Sequence, residues 1–382
     1  MQLITKIIEN DTILYFTLAG TDKCFANALR RTILTDIPTV VIRTEDTHVN
    51  QCIIKKNTSR LHNEIIQQRI SCIPVHVLDP EFADKHVLEI DVVNDTDGGQ
   101  NIRMVTTKDI KIKDIHSNLY LSEEETKKIF PPNVISGHYI DIVRLRPKMG
   151  TSIPGEQIVL TAKFSVANAR INSMFNVVSI CSYGNTIDIE KAKEVWNSIH
   201  DKLVSESKEA SEIDHMKSDF WNLDAQRHFI KDSFDFVVQS VGVYENIDIV
   251  HKACSVLCSK IDTFISSLET NVIPILPSND VQKHGYDSII ESTVENSYDV
   301  ILDNEDDTLG NILSTMMYQS YFVGEKELTF CSFKKFHPHD TYGVLRIAYK
   351  NRPDRNLIII HLKTILGKSK EIIQGIRSFM KL

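Results

Sequence analysis

Two short helical signatures lie far apart in the chain, and each places a small residue and an Asn between apolar residues. The first reads Phe-Ala-Asn-Ala-Leu-Arg-Arg over residues 25–31, and the second reads Leu-Gly-Asn-Ile-Leu over residues 309–313. In both, mostly apolar residues recur at i, i+3, i+4, i+7 and i+8, which is the spacing of one helical face. The two faces are Phe25, Ala28, Leu29, Thr32 and Ile33, and Leu309, Ile312, Leu313, Met316 and Met317. The repeat predicts two related units, each organised around one amphipathic helix.

A pair of predicted strands precedes each signature. Alternating apolar and polar residues on both sides of an Asn-containing turn are typical of a β-hairpin. The predicted strands and turns are 1–8 and 12–19 around Asn10-Asp11, and 288–295 and 298–303 around Asn296-Ser297. Asp22 is the predicted N-cap of the first helix, because its carboxylate can accept hydrogen bonds from unpaired backbone N–H groups. We therefore predict a hairpin that leads into a helix in each half.

Composition sets limits on the class of protein. A chain of 382 residues is expected to form two or three packed units. The formal net charge of -8 argues against nonspecific wrapping of nucleic acid by the whole surface. The sequence has no run of 18 apolar residues, and its seven Cys are scattered without a disulfide framework, so we expect neither a membrane span nor secretion. A reducing, intracellular compartment is the expected location.

Between the signatures, the pattern changes from strands to helices. Residues 40–164 are predicted to be β-rich, with a hairpin formed by 86–94 and 100–107, and a strand at 158–164. Residues 189–217 predict a long helix or a helix pair, 234–243 a strand and 247–268 a helix. Residues 270–287 contain Pro and Gly without periodicity, which is typical of a linker. The last part predicts strands near 328–333, 344–350 and 357–364, and then a terminal helix.

Chemistry-bearing motifs are weak. The Gly-Lys-Ser at 367–369 resembles the end of a P-loop, but Leu362 stands where the motif requires Gly. His251, Cys254 and Cys258 share one predicted helical face and are the best metal candidates, although core packing explains them better than metal binding does. A metal-dependent enzyme that uses these three residues remains one hypothesis. We otherwise find no candidate active site, and we predict that the chain alone is not an enzyme and needs no cofactor.

Several blocks, taken together, resemble a known family. The 25–31 signature, Asn-Thr-Ser-Arg-Leu-His-Asn-Glu at 57–64 and Gln-Arg-Ile-Ser-Cys-Ile-Pro at 68–74 resemble the RNA polymerase alpha family, particularly its eukaryotic third subunit. Residues 234–243 resemble the returning strand of that family. The segments 305–313 and 333–338 resemble the smaller, eleventh alpha-like subunit. A fusion of both is similar to the polymerase subunit of large nucleocytoplasmic DNA viruses, which implies a viral source.

The resemblance implies an α+β fold. An alpha-type dimerisation domain would comprise residues 1–48 and 165–268, with a β-rich insert domain at 49–164. A linker at 269–287 would lead to an eleventh-subunit-like dimerisation module at 288–382, and the two modules would form an intramolecular pseudo-dimer. Residues 190–230 match no part of the family that we can name. The residues expected to build the dimerisation contact are Phe25, Asn27, Leu29, Ile33, Leu309, Asn311, Leu313, Met316, Ile372, Ile376 and Phe379.

The implied function is a noncatalytic assembly platform of a DNA-directed RNA polymerase. Its expected partners are the second-largest catalytic subunit, small zinc-bearing subunits and, through the complex, the largest subunit. We expect no sequence-specific nucleic-acid binding and no membrane contact. If the source is viral, the host cytoplasm and the virion are the expected locations. The alternative is a stand-alone interaction scaffold outside transcription.

The partner-facing residues are also implied by the resemblance. Arg31 aligns with the family arginine that contacts the second-largest subunit, and Arg30 lies beside it on the polar side of the same helix. Both are expected to be exposed, and solvated helix-face charges are the simpler alternative. Asn57, Glu64 and Arg69 resemble a block that shapes the same surface, while support of a local turn is an equally good explanation.

Overall fold

The computed structural model describes residues 3–10, 12–96, 101–150 and 152–380, without the Phe379 side chain. It has an α+β fold with several antiparallel sheets. The helices are α1 (Lys23–Thr35), α2 (Asn63–Ser71), α3 (Phe82–Lys85), α4 (Glu123–Ile129), α5 (Ile189–Ser205), α6 (Ala210–Asn222), α7 (Asn246–Glu269), α8 (Asp307–Met317) and α9 (Arg355–Phe379). Among these described helices, none combines the length and the apolarity that a bilayer crossing requires.

The strands alternate with these helices along the chain. They are β1 (Ile4–Asn10), β2 (Ile13–Ala19), β3 (Thr39–Val41), β4 (Cys52–Asn57), β5 (His86–Val93), β6 (Arg103–Thr106), β7 (Lys111–Asp114), β8 (Asp141–Leu145), β9 (Gln157–Lys163), β10 (Ser165–Ala167), β11 (Val178–Ile187), β12 (Phe229–Ser240), β13 (Ile275–Pro277), β14 (Ser297–Asp303), β15 (Leu328–Lys334) and β16 (Tyr342–Tyr349). The predicted first hairpin, β1 with β2, is confirmed. Asp11 of its predicted turn lies outside the described residues.

The chain forms two compact units, and each unit is made of segments that are not consecutive in the sequence. The first unit comprises residues 1–33, 180–239 and 250–382, and the second comprises 34–179 and 240–249. The second unit contains the sheet β4-β9-β5-β7 and the pairs β6-β8 and β3-β10. A large apolar core, to which α2 contributes the buried Ile66 and Ile70, lies in it beside a small cluster of Val41, Ala167 and Phe175. The predicted β-rich character of this part of the chain is therefore confirmed.

Two sheets of the first unit have the same topology. One has the order β1-β2-β12-β11 and the other β13-β14-β16-β15, so the fourth strand of each set lies between the second and the third. A helix follows the second strand in both sets, α1 and α8, and another follows the fourth, α7 and α9. We call β1, β2, α1, β11, β12 and α7 the N-terminal motif, and β13, β14, α8, β15, β16 and α9 the C-terminal motif.

The two motifs pack their signature helices on their sheets in different ways. In the C-terminal motif, α8 packs on β15 and β16. A Cβ atom built at Gly310 would lie 2.5 Å from the Phe333 ring, and one at Gly343 would lie 2.3 Å from the same ring. Gly is required at both positions because the aromatic ring occupies the space of a side chain. The N-terminal motif has a fully buried Ala26 at the position that corresponds to Gly310.

The second hairpin and the linker are predicted wrongly. Residues 288–295 form no strand, and β14 pairs instead with β13, which lies inside the predicted linker at 269–287. Ser278 and Val281 of this segment are fully buried, and the Ser278 hydroxyl donates to Asp299 Oδ1 over 2.7 Å. A strand of three residues is too short to produce a periodic pattern, and Pro277 is compatible with it because β13 is an edge strand.

Two further local predictions are also wrong. No strand forms at 357–364, because this stretch belongs to α9 and buries Ile358, Leu362 and Ile365 at helical spacing. Hence Gly-Lys-Ser at 367–369 lies within a helix and not in a phosphate-binding loop. The segments 86–94 and 100–107 do not form a hairpin, because β5 pairs with β7 and β9 whereas β6 pairs with β8. Residues 97–99 of the predicted turn and residue 100 of the predicted second strand lie outside the described residues.

The helical region between β11 and β12 is a helix pair, as predicted. Helices α5 and α6 enclose a small apolar cluster of their own, in which the Trp196 and Phe220 ring centroids are 5.5 Å apart. Ala192 and Leu203 complete the buried part of this cluster on α5. The helix pair therefore has packing of its own, distinct from the two sheets of the unit.

Candidate functional site

Helix α1 is fixed at its start by Asp22 and along its length by apolar burial. Asp22 Oδ1 accepts a hydrogen bond of 2.9 Å from the Cys24 N–H, so the predicted N-cap is confirmed. The predicted face is buried at Phe25, Leu29 and Ile33. Asn27 is half-buried, and its Oδ1 accepts from the Arg30 guanidinium over 2.9 and 3.2 Å. This bond holds Arg30 against its own helix.

Helix α8 begins with the same kind of cap. Asp306 Oδ1 accepts from the Thr308 N–H over 2.8 Å. Its face is buried at Leu309, Leu313 and Met316, and Asn311 is half-buried. The two signature helices therefore repeat the cap, the stripe and the partly exposed Asn.

Arg31 connects the two signature helices. Its Nε donates to Thr308 Oγ1 over 2.9 Å, and its Nη2 lies 3.1 Å from Asp306 Oδ2. The Arg31 and Asp306 side chains are 32% and 22% exposed. The expectation that Arg31 is an exposed charge is thus wrong, because the capping carboxylate of the other signature helix binds it inside the chain.

A second contact joins the two signature helices, this time from α8 to the start of α1. By the alignment of the two signatures, Thr315 corresponds to Arg31 and Cys24 to Thr308. Thr315 lies beside the Cys24 thiol, whose pKa burial raises and Thr315 acts to lower, at the place that corresponds to the hydrogen bond between Arg31 and Thr308. Gln319 also donates to Asp22 Oδ2 over 3.3 Å, so both capping aspartates receive a donor from the other motif. Arg31 and Thr315, which correspond to each other, thus each lie next to a residue of the other signature helix, and these two residues also correspond.

Gln319 lies in a π-helical turn, Tyr318–Gly324, that continues α8. Such turns are rare and often occur at functional positions. The rings of Tyr318 and Phe322 stack within it at a centroid distance of 4.7 Å. The wide turn carries the chain past the regular end of α8, where Gln319 reaches the N-cap of α1.

Two cysteines, one on a strand of each sheet, make corresponding contacts with the two signature helices. Cys181 of β11 donates to the Arg30 carbonyl over 3.9 Å, and Cys331 of β15 donates to the Ser314 carbonyl over 3.7 Å. Ser314 corresponds to Arg30 in the aligned signatures. Burial raises the pKa of both thiols to about 12, so both remain protonated donors at neutral pH. In each motif, one thiol of the sheet therefore donates a hydrogen bond to the signature helix, and the two accepting carbonyls are at corresponding positions.

The two long helices α7 and α9 meet side by side. Lys370 Nζ donates to Asp262 over 2.6 and 2.8 Å, and Lys363 Nζ donates to Glu269 over 2.9 Å. Residue numbers rise along one helix as they fall along the other, so the helices run antiparallel. Among the predicted contact residues of α9, Ile376 is buried and Ile372 half-buried, while the side chain of Phe379 lies outside the described part.

The candidate metal residues lie on α7. His251 Nε2 is 3.4 Å from the Met380 carbonyl, and Cys254 is fully buried. Burial raises the pKa of Cys254 to about 12, which disfavours the thiolate that a metal requires. Across the part of the chain that the structure describes, three His, Cys, Asp or Glu side chains do not come together in a metal-binding arrangement.

The remaining predicted residues lie in the second unit. Asn57 organises a turn, because its Nδ2 donates to the Leu61 carbonyl over 2.8 Å and its Oδ1 accepts from Ser59. Glu64 is exposed in the first turn of α2. The Arg69 guanidinium donates to the Ile142 carbonyl over 2.8 Å. Asn57 therefore has the turn-supporting contacts that the alternative explanation predicts.

Sequence reasoning missed the polar residues that join the motifs. Asp306, Thr308, Thr315 and Gln319 were not among the predicted contact residues, which were chosen mainly for their apolar stripe. The Asp-Asp-Thr at 306–308 is a helix-capping sequence, and it occupies the place of Asp22 in the first signature. Aligning the two caps would have identified Asp306 and Thr308, whereas no local signal identifies Gln319.

Comparison with known proteins adds independent information. The family model described as "RNA polymerase Rpb3/Rpb11 dimerisation domain" matches residues 15–261. The chain is 23% identical over 303 residues to "DNA-directed RNA polymerases I and III subunit RPAC1" of Bos taurus, covering 68% of this chain and 82% of that protein. It is 26% identical over 282 residues to "DNA-directed RNA polymerase subunit Rpo3" of Thermococcus kodakarensis, covering 69% and 96%. It is also 23% identical over 304 residues to a "Conjugation stage-specific protein" of Tetrahymena thermophila, covering 67% and 91%.

Proposed function

Because the chain belongs to the RNA polymerase Rpb3/Rpb11 dimerisation domain family, we propose that its two motifs are the two halves of such a dimer on one polypeptide. The chain is a noncatalytic, assembly-type subunit of DNA-directed RNA polymerase. The N-terminal motif, with the second unit as its insert, is the third-subunit half. The C-terminal motif is the half that resembles the eleventh subunit.

One observation carries this proposal: equivalent positions of the two motifs exchange contacts. Arg31 bonds to Thr308 while Thr315 lies beside Cys24, and each capping aspartate binds a donor from the other motif. A two-fold interface brings residue i to j and j to i, as these pairs do. The identical strand order of the two sheets supports the same interpretation.

The proposed role is a preassembled platform for the catalytic subunits. Because one chain carries both halves, their association is intramolecular and does not depend on protein concentration. We propose the second-largest subunit and small zinc-bearing subunits as direct partners, with Arg30, Asn57, Glu64 and Arg69 on the contacted surfaces. Arg31 is assigned primarily to the contact between the motifs. The family assignment favours this role over a scaffold outside transcription.

The viral source is likewise a proposal. It follows from the resemblance of the fused arrangement to a subunit of large nucleocytoplasmic DNA viruses. The host cytoplasm and the virion are the proposed locations. Mass spectrometry of purified virus particles tests this, because a virion protein must be recovered from them together with the large polymerase subunits.

Cleavage of the covalent connection tests the pseudo-dimer. A site for a specific protease is inserted after Asn271, next to Val272, which is 70% exposed. After cleavage, the two pieces should coelute as a 1:1 complex in size-exclusion chromatography and separate only in denaturant. The uncut variant is the control for folding. Separation of folded pieces in native buffer would contradict the pseudo-dimer.

Purification from the native source tests the polymerase assignment separately. The chain should copurify with two very large subunits, and subunit identification by mass spectrometry checks this. Recovery as a lone polypeptide from cells that contain active polymerase would refute the platform role, whatever the result of the cleavage experiment.

A further inference from the structure

The second unit contains an arginine-rimmed groove, and we propose that it binds an acidic segment of a protein partner that also inserts an apolar side chain. Four arginines line this groove, Arg60, Arg69, Arg144 and Arg146, in a cavity of about 490 Å³. Two carboxylates, Asp141 and Glu156, line it as well, which leaves a net charge of +2. The whole chain has a formal charge of -8, so this positive site is a local feature of an acidic protein.

Two of the arginines are held in place by acceptors of the chain itself. Glu156 accepts from Arg146 Nε over 2.6 Å and from the Arg146 backbone N–H over 2.7 Å. Arg69 Nη1 donates to the Ile142 carbonyl over 2.8 Å. Ordered guanidinium groups lose less conformational entropy when they bind a carboxylate than mobile ones do. This side of the groove is therefore preorganised.

The other two arginines are held less firmly, because the Glu156 charge attracts Arg60 without a hydrogen bond. Among the described residues, Arg60 and Arg144 have no hydrogen-bonding acceptor, and both side chains are exposed. A guanidinium group can bind a carboxylate through two parallel N–H donors, and arginine clusters recognise acidic motifs in this way. Arg60 and Arg144 are the groups that would bind the carboxylates of the partner.

The floor of the groove favours a peptide over a nucleic acid. Leu61, Ile102 and Met104 line it, and the Ile102 side chain is 57% exposed. An apolar side chain of the partner that packs on these residues would remove apolar surface from water, which favours binding. The groove has aliphatic lining without an aromatic ring, whereas binding of single-stranded nucleic acid commonly uses aromatic stacking. An acidic segment with one apolar side chain could therefore bind the arginines with its carboxylates and the apolar residues with that side chain.

Binding of labelled model ligands to the full chain tests the proposal. The probe is a short fluorescent peptide in which Glu and Leu alternate, measured by anisotropy at low and at physiological salt. The Arg60→Glu/Arg144→Glu variant should weaken binding by about tenfold or more, because it replaces attraction by repulsion at the rim. The Ile102→Ser variant should weaken it by a smaller factor. Circular dichroism verifies that both variants remain folded.

Matched controls separate the groove from general electrostatics. The Lys193→Glu/Lys217→Glu variant changes the charge equally at exposed positions on α5 and α6, and it should alter binding by less than about twofold. Peptides with Lys for Glu, or with Ser for Leu, should bind more weakly than the Glu-Leu peptide. Absence of binding by the Glu-Leu peptide, equal binding of oligo(U) RNA, or equal loss in the control variant would each overturn the proposal.

Discussion

The N-terminal and C-terminal motifs share strand order, helix placement, N-caps and apolar stripe, yet they differ in the polar residues at matching positions. Arg31 in the first motif corresponds to Thr315 in the second, and Ala26 corresponds to Gly310. The difference teaches that two motifs with the same strand order and the same buried helix face can carry different polar contacts. The unequal polar residues make the contacts of the two motifs different, because Arg31 binds the Asp306 carboxylate whereas Thr315, at the corresponding position, carries no charge.

The two sheets also differ in how they hold an aspartate, although the two aspartates do not occupy corresponding positions, since one lies on β14 and the other on β12. In the C-terminal motif, Asp299 is fully buried and accepts from Arg346 Nε and Nη2, both over 2.7 Å. In the N-terminal motif, Asp235 is exposed and accepts from the hydroxyls of Thr17 and Thr186. A buried ion pair is sensitive to loss of one partner, whereas an exposed carboxylate is not. The two motifs should therefore respond unequally to the same kind of mutation.

The largest expected difference concerns these aspartates. Asp299→Ala should lower the free energy of unfolding by about 3–5 kcal/mol, because it leaves the Arg346 charge without its buried partner. Asp235→Ala should cost about 1 kcal/mol or less, since water can replace the lost hydrogen bonds. Urea denaturation followed by circular dichroism measures both values. Equal losses would show that burial does not distinguish the two motifs.

The next difference concerns the small residue of each signature. Gly310→Ala should cost about 1–3 kcal/mol, because its Cβ would overlap the Phe333 ring. The matched Ala26→Gly variant should cost about 1–2 kcal/mol, through lower helix propensity and the loss of one buried methyl group. Adding Phe333→Leu to Gly310→Ala should recover part of the loss by removing the overlapping ring. A Gly310→Ala variant as stable as the wild type would refute the close approach of ring and helix.

The contact between the helices is expected to give a smaller effect. Arg31→Glu should destabilise the folded chain by about 1–2 kcal/mol, since it places a carboxylate beside Asp306 in a partly exposed pair. Thr315→Val, at the corresponding position, should cost less than about 1 kcal/mol. Lys23→Glu is the control, because a negative charge in the first turn of α1 is not unfavourable. An Arg31→Glu chain of unchanged stability would return Arg31 to the set of partner-facing charges.

The smallest expected effect concerns a buried histidine of the C-terminal motif. His361 stacks on Tyr321 at a centroid distance of 3.8 Å, and its Nδ1 lies 3.1 Å from the Tyr349 hydroxyl. Burial lowers the pKa of His361 more than Glu327, 3.5 Å away, and Glu325 raise it. The unfolded chain therefore binds this proton more readily than the folded chain.

Stability should consequently fall as the pH decreases through the unfolded-state pKa of about 6.5. The contribution of His361 to the free energy of unfolding is fully present above that pH. It decreases as the pH falls from the unfolded-state pKa to the lower pKa of the folded chain. Its slope cannot exceed about 1.4 kcal/mol per pH unit for one proton. The difference between wild type and His361→Gln in urea unfolding, measured from pH 7.5 to 5, isolates this slope from other histidines. Parallel curves for the two chains would contradict the assignment.

Particular elements explain which parts of the fold were predictable. The first hairpin, α7 and the α5–α6 pair follow from periodicity and capping, which act over a few neighbouring residues. The strand at 275–277 was missed because three residues carry no period, and its pairing partner lies beyond a long loop. Residues 357–364 were misassigned because a run of Ile and Leu fits both a buried strand and a buried helix.

The sequence by itself determined the two amphipathic signature helices, the Asp22 cap, the β-rich character of residues 40–164 and the resemblance to the polymerase family, because these depend on local spacing and residue type. Only the tertiary structure decided that Arg31 is bound by Asp306, that Ser278 and Val281 are buried and not part of a loose linker, and that Gln319 reaches Asp22. These contacts join residues that are distant in the chain. Their pairing depends on how whole sheets and helices pack, which the order of neighbouring residues does not specify.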